Sequence, residues 1–162
     1  MENAKDTFYI TLRNRLAALN PDRTMVLRGL LRPGILVEEN EIVSAEMPRD
    51  VFVLRWKDPT VDMQQPLALA KLQCEVVYGT DGNADNAAMD RGRLLTAMDA
   101  ELAGILNPGH AVKMNYAQEP VTAMSTSLFW SDAAYGPIVS EREHMQRTAT
   151  VEVFSYEEPE ER

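Results

Sequence analysis

Ala70-Lys71-Leu72-Gln73-Cys74-Glu75-Val76-Val77-Tyr78 is the stretch that decides the fold class. Ala70, Leu72, Cys74, Val76 and Tyr78 alternate with Lys71, Gln73 and Glu75. That two-residue period belongs to a strand with one face in a core and the other in water. Working outward, the closing segment Thr148–Tyr156 repeats the pattern, with Ala149, Val151 and Val153 inward and Thr148, Thr150 and Glu152 outward. Val51-Phe52-Val53-Leu54-Arg55-Trp56 is apolar on both faces, which suits the middle of a sheet covered on each side. Met25–Leu27 and Ile35–Val37 read as short extended pieces around the turn chemistry of Arg32-Pro33-Gly34. Further extended pieces fall at Val112–Tyr116 and Ser127–Ser131.

Two helices complete the pattern. From Asp6 to Leu19, apolar residues recur at Tyr9, Leu12, Leu16 and Leu19, with Asp6 as the expected N-cap and Pro21 as the stop. After the turn-rich link Gly79–Asn86, Leu94, Leu95, Met98, Leu102, Ile105 and Leu106 form a second stripe that Asn107-Pro108-Gly109 ends. Its start falls between Asp85 and Arg91. Strands joined by connections too short for a crossover helix imply antiparallel pairing. The expectation is one α+β domain over residues 1–156: a mostly antiparallel sheet of about four strands packed with two α-helices. Glu38–Glu46 reads as an acidic linker, Lys57–Pro66 as a loop, and residues 157–162 as a disordered acidic tail.

Composition excludes several classes. The 162 residues hold 16 Lys+Arg against 25 Asp+Glu, a net charge of −9. That sign is wrong for a protein that binds nucleic acid by displacing phosphate counterions. One cysteine cannot form an internal disulfide, and no apolar run approaches the roughly 20 residues that span a bilayer. The opening residues carry no signal-peptide pattern, so a cytoplasmic protein is expected. Charge is also uneven: residues 1–37 carry a net +3 and the remainder −12. Opposite patches of this kind could steer copies together head to tail.

No catalytic constellation stands out. His110 and His144 lie in polar surroundings outside any nucleophile-elbow or zinc-helix motif and read as surface residues. Cys74 falls on the inward phase of its strand and reads as core. Asp81, Asn83 and Asp85 reproduce the opening of a calcium loop, but Asn86 stands where glycine belongs and Gly92 where a bidentate glutamate belongs. Turn chemistry is the better account of them. No cofactor, no metal and no enzyme activity are expected. Trp56 and Trp130 each end a strand and read as structural aromatics.

The order of elements, together with Arg32-Pro33-Gly34-Ile35-Leu36-Val37-Glu38, Trp130-Ser131-Asp132-Ala133 and Ala149–Glu157, resembles the tail terminator (minor tail, tail-completion) proteins of lambda-like long-tailed phages. The resemblance spans most of residues 5–156, with a longer loop, Asp132–Arg147, between the last two segments. It implies a structural protein that forms a hexameric ring with copies of itself, caps the tail tube and meets the head-completion proteins. DNA would pass through that ring without sequence-specific contact, and an acidic body suits such a channel. The protein would sit in the cytoplasm during assembly and in the virion tail afterwards, away from any membrane. The interaction residues expected are Arg28 and Arg32 at the basic end, and Lys57, Asp58, Asp62, Tyr135, Arg142 and Glu143 in the two long loops. The competing reading is a small-ligand-binding α+β domain or an enzyme whose groups converge only in three dimensions; a third is an adaptor of another contractile or secretion apparatus.

Overall fold

The computed structural model describes residues 1–41, 47–63, 66–83 and 89–161. In chain order the elements are α1 (Glu2–Leu19), β1 (Thr24–Leu27), β2 (Leu30–Pro33), β3 (Ile35–Val37), α2 (Glu38–Glu41), β4 (Phe52–Trp56), β5 (Thr60–Asp62), β6 (Leu69–Thr80), α3 (Arg91–Leu106), β7 (His110–Asn115), β8 (Thr122–Trp130), β9 (Ala134–Tyr135), β10 (Val139–Glu141) and β11 (His144–Tyr156). A single 3₁₀ turn, Pro159–Glu161, follows.

The α+β class holds, but the sheet is larger and more mixed than expected. Among the described residues it has nine strands, ordered β3-β4-β6-β11-β8-β7, with β5 also on β6, and β9 and β10 also on β11. The long central pair is β6 and β11, antiparallel from Met145 opposite Thr80 to Tyr156 opposite Leu69. β3 runs parallel to β4, a direction that three apolar residues do not encode. Among the described residues there are three α-helices rather than two, the additional one being the single turn α2 inside the expected acidic linker. The linker's remaining residues, 42–46, lie outside the described residues, as do Asp85 and Asn86 of the turn-rich link.

The two alternating segments behave as their period requires. Leu72, Cys74 and Val76 stand opposite Val153, Val151 and Ala149 across the register, with Ala70 and Tyr78 at either end of the same stripe, and all are buried. The α1 and α3 helices cover this face. Ala4, Phe8, Leu12 and Leu16, four residues apart, line the buried side of α1. The helix therefore begins at Glu2, not Asp6, because Ala4 and Phe8 extend the stripe back by a turn. Phe8 sets its edge on Trp56 (5.6 Å between centroids) and on Trp130 (5.1 Å), and the Trp130 indole donates to the Leu106 carbonyl at 2.8 Å. Both tryptophans are therefore packing residues, as expected. β4 is apolar on both faces for a related reason. Its Phe52 and Leu54 join the main core, while Val53 joins a small second cluster with Leu36, Val51 and Val77 on the opposite face.

The acidic tail is a correction. Instead of being disordered through 157–161, it folds against β7. Lys113, fully buried, extends its ammonium to Glu161 at 2.6 Å, to the Tyr156 carbonyl at 2.5 Å and to Ser155 at 3.2 Å. A buried ammonium needs a counter-charge, and only the tail supplies a carboxylate to it among the contacts seen. Among the described residues no helix is long and apolar enough to cross a membrane.

Candidate interaction surface

Among the described residues one pair of strands belongs to no sheet but its own. β1 and β2 form a hairpin, with Met25 opposite Arg32, Val26 opposite Leu31 and Leu27 opposite Leu30. Its turn is Arg28-Gly29, both at positive φ (50° and 81°), the conformation that two-residue hairpins favour. This corrects the sequence reading, which placed the turn at Arg32-Pro33-Gly34; Pro33 instead closes β2 opposite Thr24.

The base of this arm is fixed to the body. The Arg23 guanidinium holds Glu101 and donates to the Asp50 carbonyl at 2.9 Å, and Gly34 N–H donates to the Arg23 carbonyl at 2.8 Å. Arg32 pairs with Glu41 at 2.5 Å and donates to the Tyr9 hydroxyl, which in turn donates to Glu41 at 3.1 Å. Met25 packs on the cluster of Leu36, Val51, Val53 and Val77. The outer half has no such cover. Val26 is 64% exposed, Leu30 71% and Leu31 72%, with Arg28 exposed at the tip. Burying an aliphatic side chain gains about 1.5–3 kcal/mol, and an isolated hairpin is marginal in water. Three uncovered aliphatics on a pinned arm therefore form a surface with something to gain from contact.

The large sheet carries a second, unlike surface. β10 pairs with β11 from Val139 opposite Gln146 to Glu141 opposite His144 and has no other strand partner among the described residues. Ile138 and Val139 are exposed there, and the turn Arg142-Glu143 follows, Arg142 at φ 53°. Beside it lies an open hollow of about 650 Å³ between Arg49, Asp81, His144 and that turn. His144 Nδ1 is 2.8 Å from Asp81, and Arg49 donates to the same carboxylate at 3.0 Å. Burial pushes the Asp81 pKa up, but these two partners outweigh it and hold the carboxyl below its usual range. His144 is therefore not the free surface residue expected. Its ring lies on the backbone of Gly79, where a Cβ would stand 2.6 Å from it.

The sequence-predicted residues do not form one patch. Arg28 stands exposed at the arm tip, whereas Arg32 is consumed by Glu41 and Tyr9. Lys57, half exposed, pairs with Glu75 at 3.2 Å; Asp58 is exposed in the following loop, and Asp62 ends β5. That group lies at the end of β6 where β5 pairs with Leu69–Lys71. Arg142 and Glu143 lie at the other end, beside Thr80 of β6. Tyr135 faces α3, its hydroxyl donating to the Asp99 carbonyl at 3.1 Å beneath the Arg147 guanidinium. The residues missed are apolar: Val26, Leu30, Leu31, Ile138 and Val139. An Arg-Gly pair flanked by aliphatics was the available signal for the arm. Cys74 lies in the core as expected, where burial drives its thiol pKa far upward. Among the described residues no group of three metal-ligating side chains comes together; Asp81 turns to Arg49 and His144, while Asp85 lies outside the described residues.

No family model and no curated protein matches the sequence. One solved structure of unstated function follows the chain over 98% of its length and 96% of its own, at 11% identity and a TM-score of 0.49, too distant a likeness to bear on function.

Proposed function

We propose that this chain is a structural subunit of the tail-terminator kind, one that works by assembling with copies of itself into a ring that caps a tail tube and receives head-completion proteins. The observation that carries the reading is the pinned arm, which holds three neighbouring aliphatic side chains in water on a root fixed by ion pairs. A ring of head-to-tail contacts needs two unlike surfaces on each subunit. The arm and the β10 edge are two such surfaces, one a hairpin outside the large sheet and the other a strand of it. The segment order and the motifs around Arg32-Pro33-Gly34 and Trp130-Ser131 support the same assignment. A net charge of −9 suits a channel that phosphate must traverse without sticking.

The competing reading, a small-ligand-binding domain, draws on the hollow beside His144 and Asp81. Size-exclusion chromatography with light scattering, followed by negative-stain microscopy, separates the two. Closed rings with a central opening support the subunit reading. A monomer at every concentration, whose melting temperature rises saturably with a small anionic or cationic ligand, supports the other.

A further inference from the structure

We infer that the β1–β2 arm of one copy docks along the open edge of β10 in a second copy, and that this contact is the repeating joint of the assembly. The inference rests on the ring reading above and names the surfaces that close it.

Three features match the two surfaces to each other. Each is apolar at its centre: Val26, Leu30 and Leu31 on the arm, Ile138 and Val139 on the edge. Each also has an open line of backbone groups, because among the described residues β1 and β2 pair only with one another and β10 only with β11. Unpaired strand edges are templates for a strand from another chain. Single charges of opposite sign also stand on the two surfaces, Arg28 on the arm and Glu141 and Glu143 at the edge. Residues 131–143 hold Asp132, Glu141 and Glu143 against Arg142, a net −2. Since Arg23 and Arg32 are paired within the subunit, Arg28 at the tip is the cation left to meet Glu141 or Glu143. Complementary charge fixes register, and it sets Arg28 against a carboxylate of the edge rather than against a second Arg28.

Within a single copy the two surfaces are held apart. β4, β6 and β11 stand between β3, beside the arm's root, and β10. At about 4.8 Å per strand that separation is close to 20 Å. Ion pairs at Arg23 and Arg32 hold the root in place. A two-copy contact leaves one arm and one edge free at its ends, and closure into a ring uses both.

The test uses single-cysteine variants, since native Cys74 is fully buried. Leu31→Cys and Val139→Cys, carrying tags of different mass, are mixed and oxidised mildly. The expected product is the mixed dimer, and the double variant L31C/V139C gives a covalent ladder ending at the ring. Dimers of L31C with itself alone overturn the inference in favour of arm-to-arm pairing. Rings seen by microscopy without the mixed dimer also overturn it but leave the ring reading standing, whereas a wild-type chain that never multimerises overturns both. A second measurement uses L30E/L31E, which alters only exposed side chains and keeps the wild-type melting temperature. Its self-association should weaken on the order of a hundredfold or more. R28E should weaken assembly and E141R in the same chain should restore it; unchanged assembly in L30E/L31E and R28E overturns the inference.

Discussion

The helix-covered face of the sheet and the β1–β2 arm are built from the same residue types and meet opposite ends. Leu12, Leu16, Leu72 and Val76 are fully buried, whereas Val26, Leu30 and Leu31 stay mostly in water. The difference lies in layers. The core face has α1 and α3 above it, while the arm is a single two-stranded layer whose apolar cover, among the described residues, is at its root, where Met25 meets the cluster of Leu36 and Val53. An aliphatic residue in a strand becomes core when a second layer exists and contact surface when it does not. Stability should therefore reside in the covered face and association in the arm, and substitutions can separate the two.

The largest loss of stability is expected at Phe8→Ala, which removes the ring set edge-on between Trp56 and Trp130. Chemical denaturation should show about 3–5 kcal/mol lost. A result below about 1 kcal/mol would mean that the covered face is not the main source of stability. Next comes Glu161→Gln, which strips the counter-charge from a fully buried lysine and should cost about 3 kcal/mol. Adding Lys113→Met should recover most of that loss, since an apolar side chain needs no counter-charge.

The same pair sets an acid dependence. Burial raises the Glu161 pKa, but hydrogen bonding and charge from Lys113 outweigh it and hold the carboxyl below its usual 4.5. A carboxylate with a depressed folded pKa stabilises fully above its unfolded value and loses that contribution as pH falls through the folded one. Wild-type stability should therefore drop below about pH 4.5, and E161Q should show a shallower drop over the same range. Parallel curves would show that the tail carboxylate is not coupled to folding.

Gly79→Ala ranks lower, at about 1–3 kcal/mol, because the new Cβ meets the Met145 carbonyl at 2.5 Å and the His144 ring at 2.6 Å. The smallest stability effect is expected at Leu30→Ser with Leu31→Ser, within about 0.5 kcal/mol, because neither side chain is covered in the subunit. Thermal melting checks it. A loss above 2 kcal/mol would make the arm part of the folding core and erase the contrast.

Periodicity made the central pair legible. The alternation at Ala70–Tyr78 and at Ala149–Val153 survives into a continuous register between β6 and β11. The stripes on α1 and α3 were equally direct. Shorter strands were not, because β9 and β10 span two and three residues and exist only through backbone pairing to β11. The tail was misread for a different reason. Glu161 looks like one more solvated charge until Lys113, 48 residues earlier, is brought beneath it. Net charge misled in the same way. The basic end loses Arg23 to Glu101 and Arg32 to Glu41, both outside the first 37 residues, so a charge count over sequence overstates the free charge on the surface. The candidate site was half visible: Arg28, Arg142 and Glu143 do stand exposed at hairpin turns, but the aliphatics beside them read as ordinary strand interiors.

Native mass spectrometry of the wild-type chain and of L30E/L31E, at matched concentrations, bears most directly on whether this protein acts through surfaces shared between copies. A single closed multimer in the wild type that collapses to monomer in the variant is the predicted result. A monomer in both, or the same multimer in both, would contradict the account.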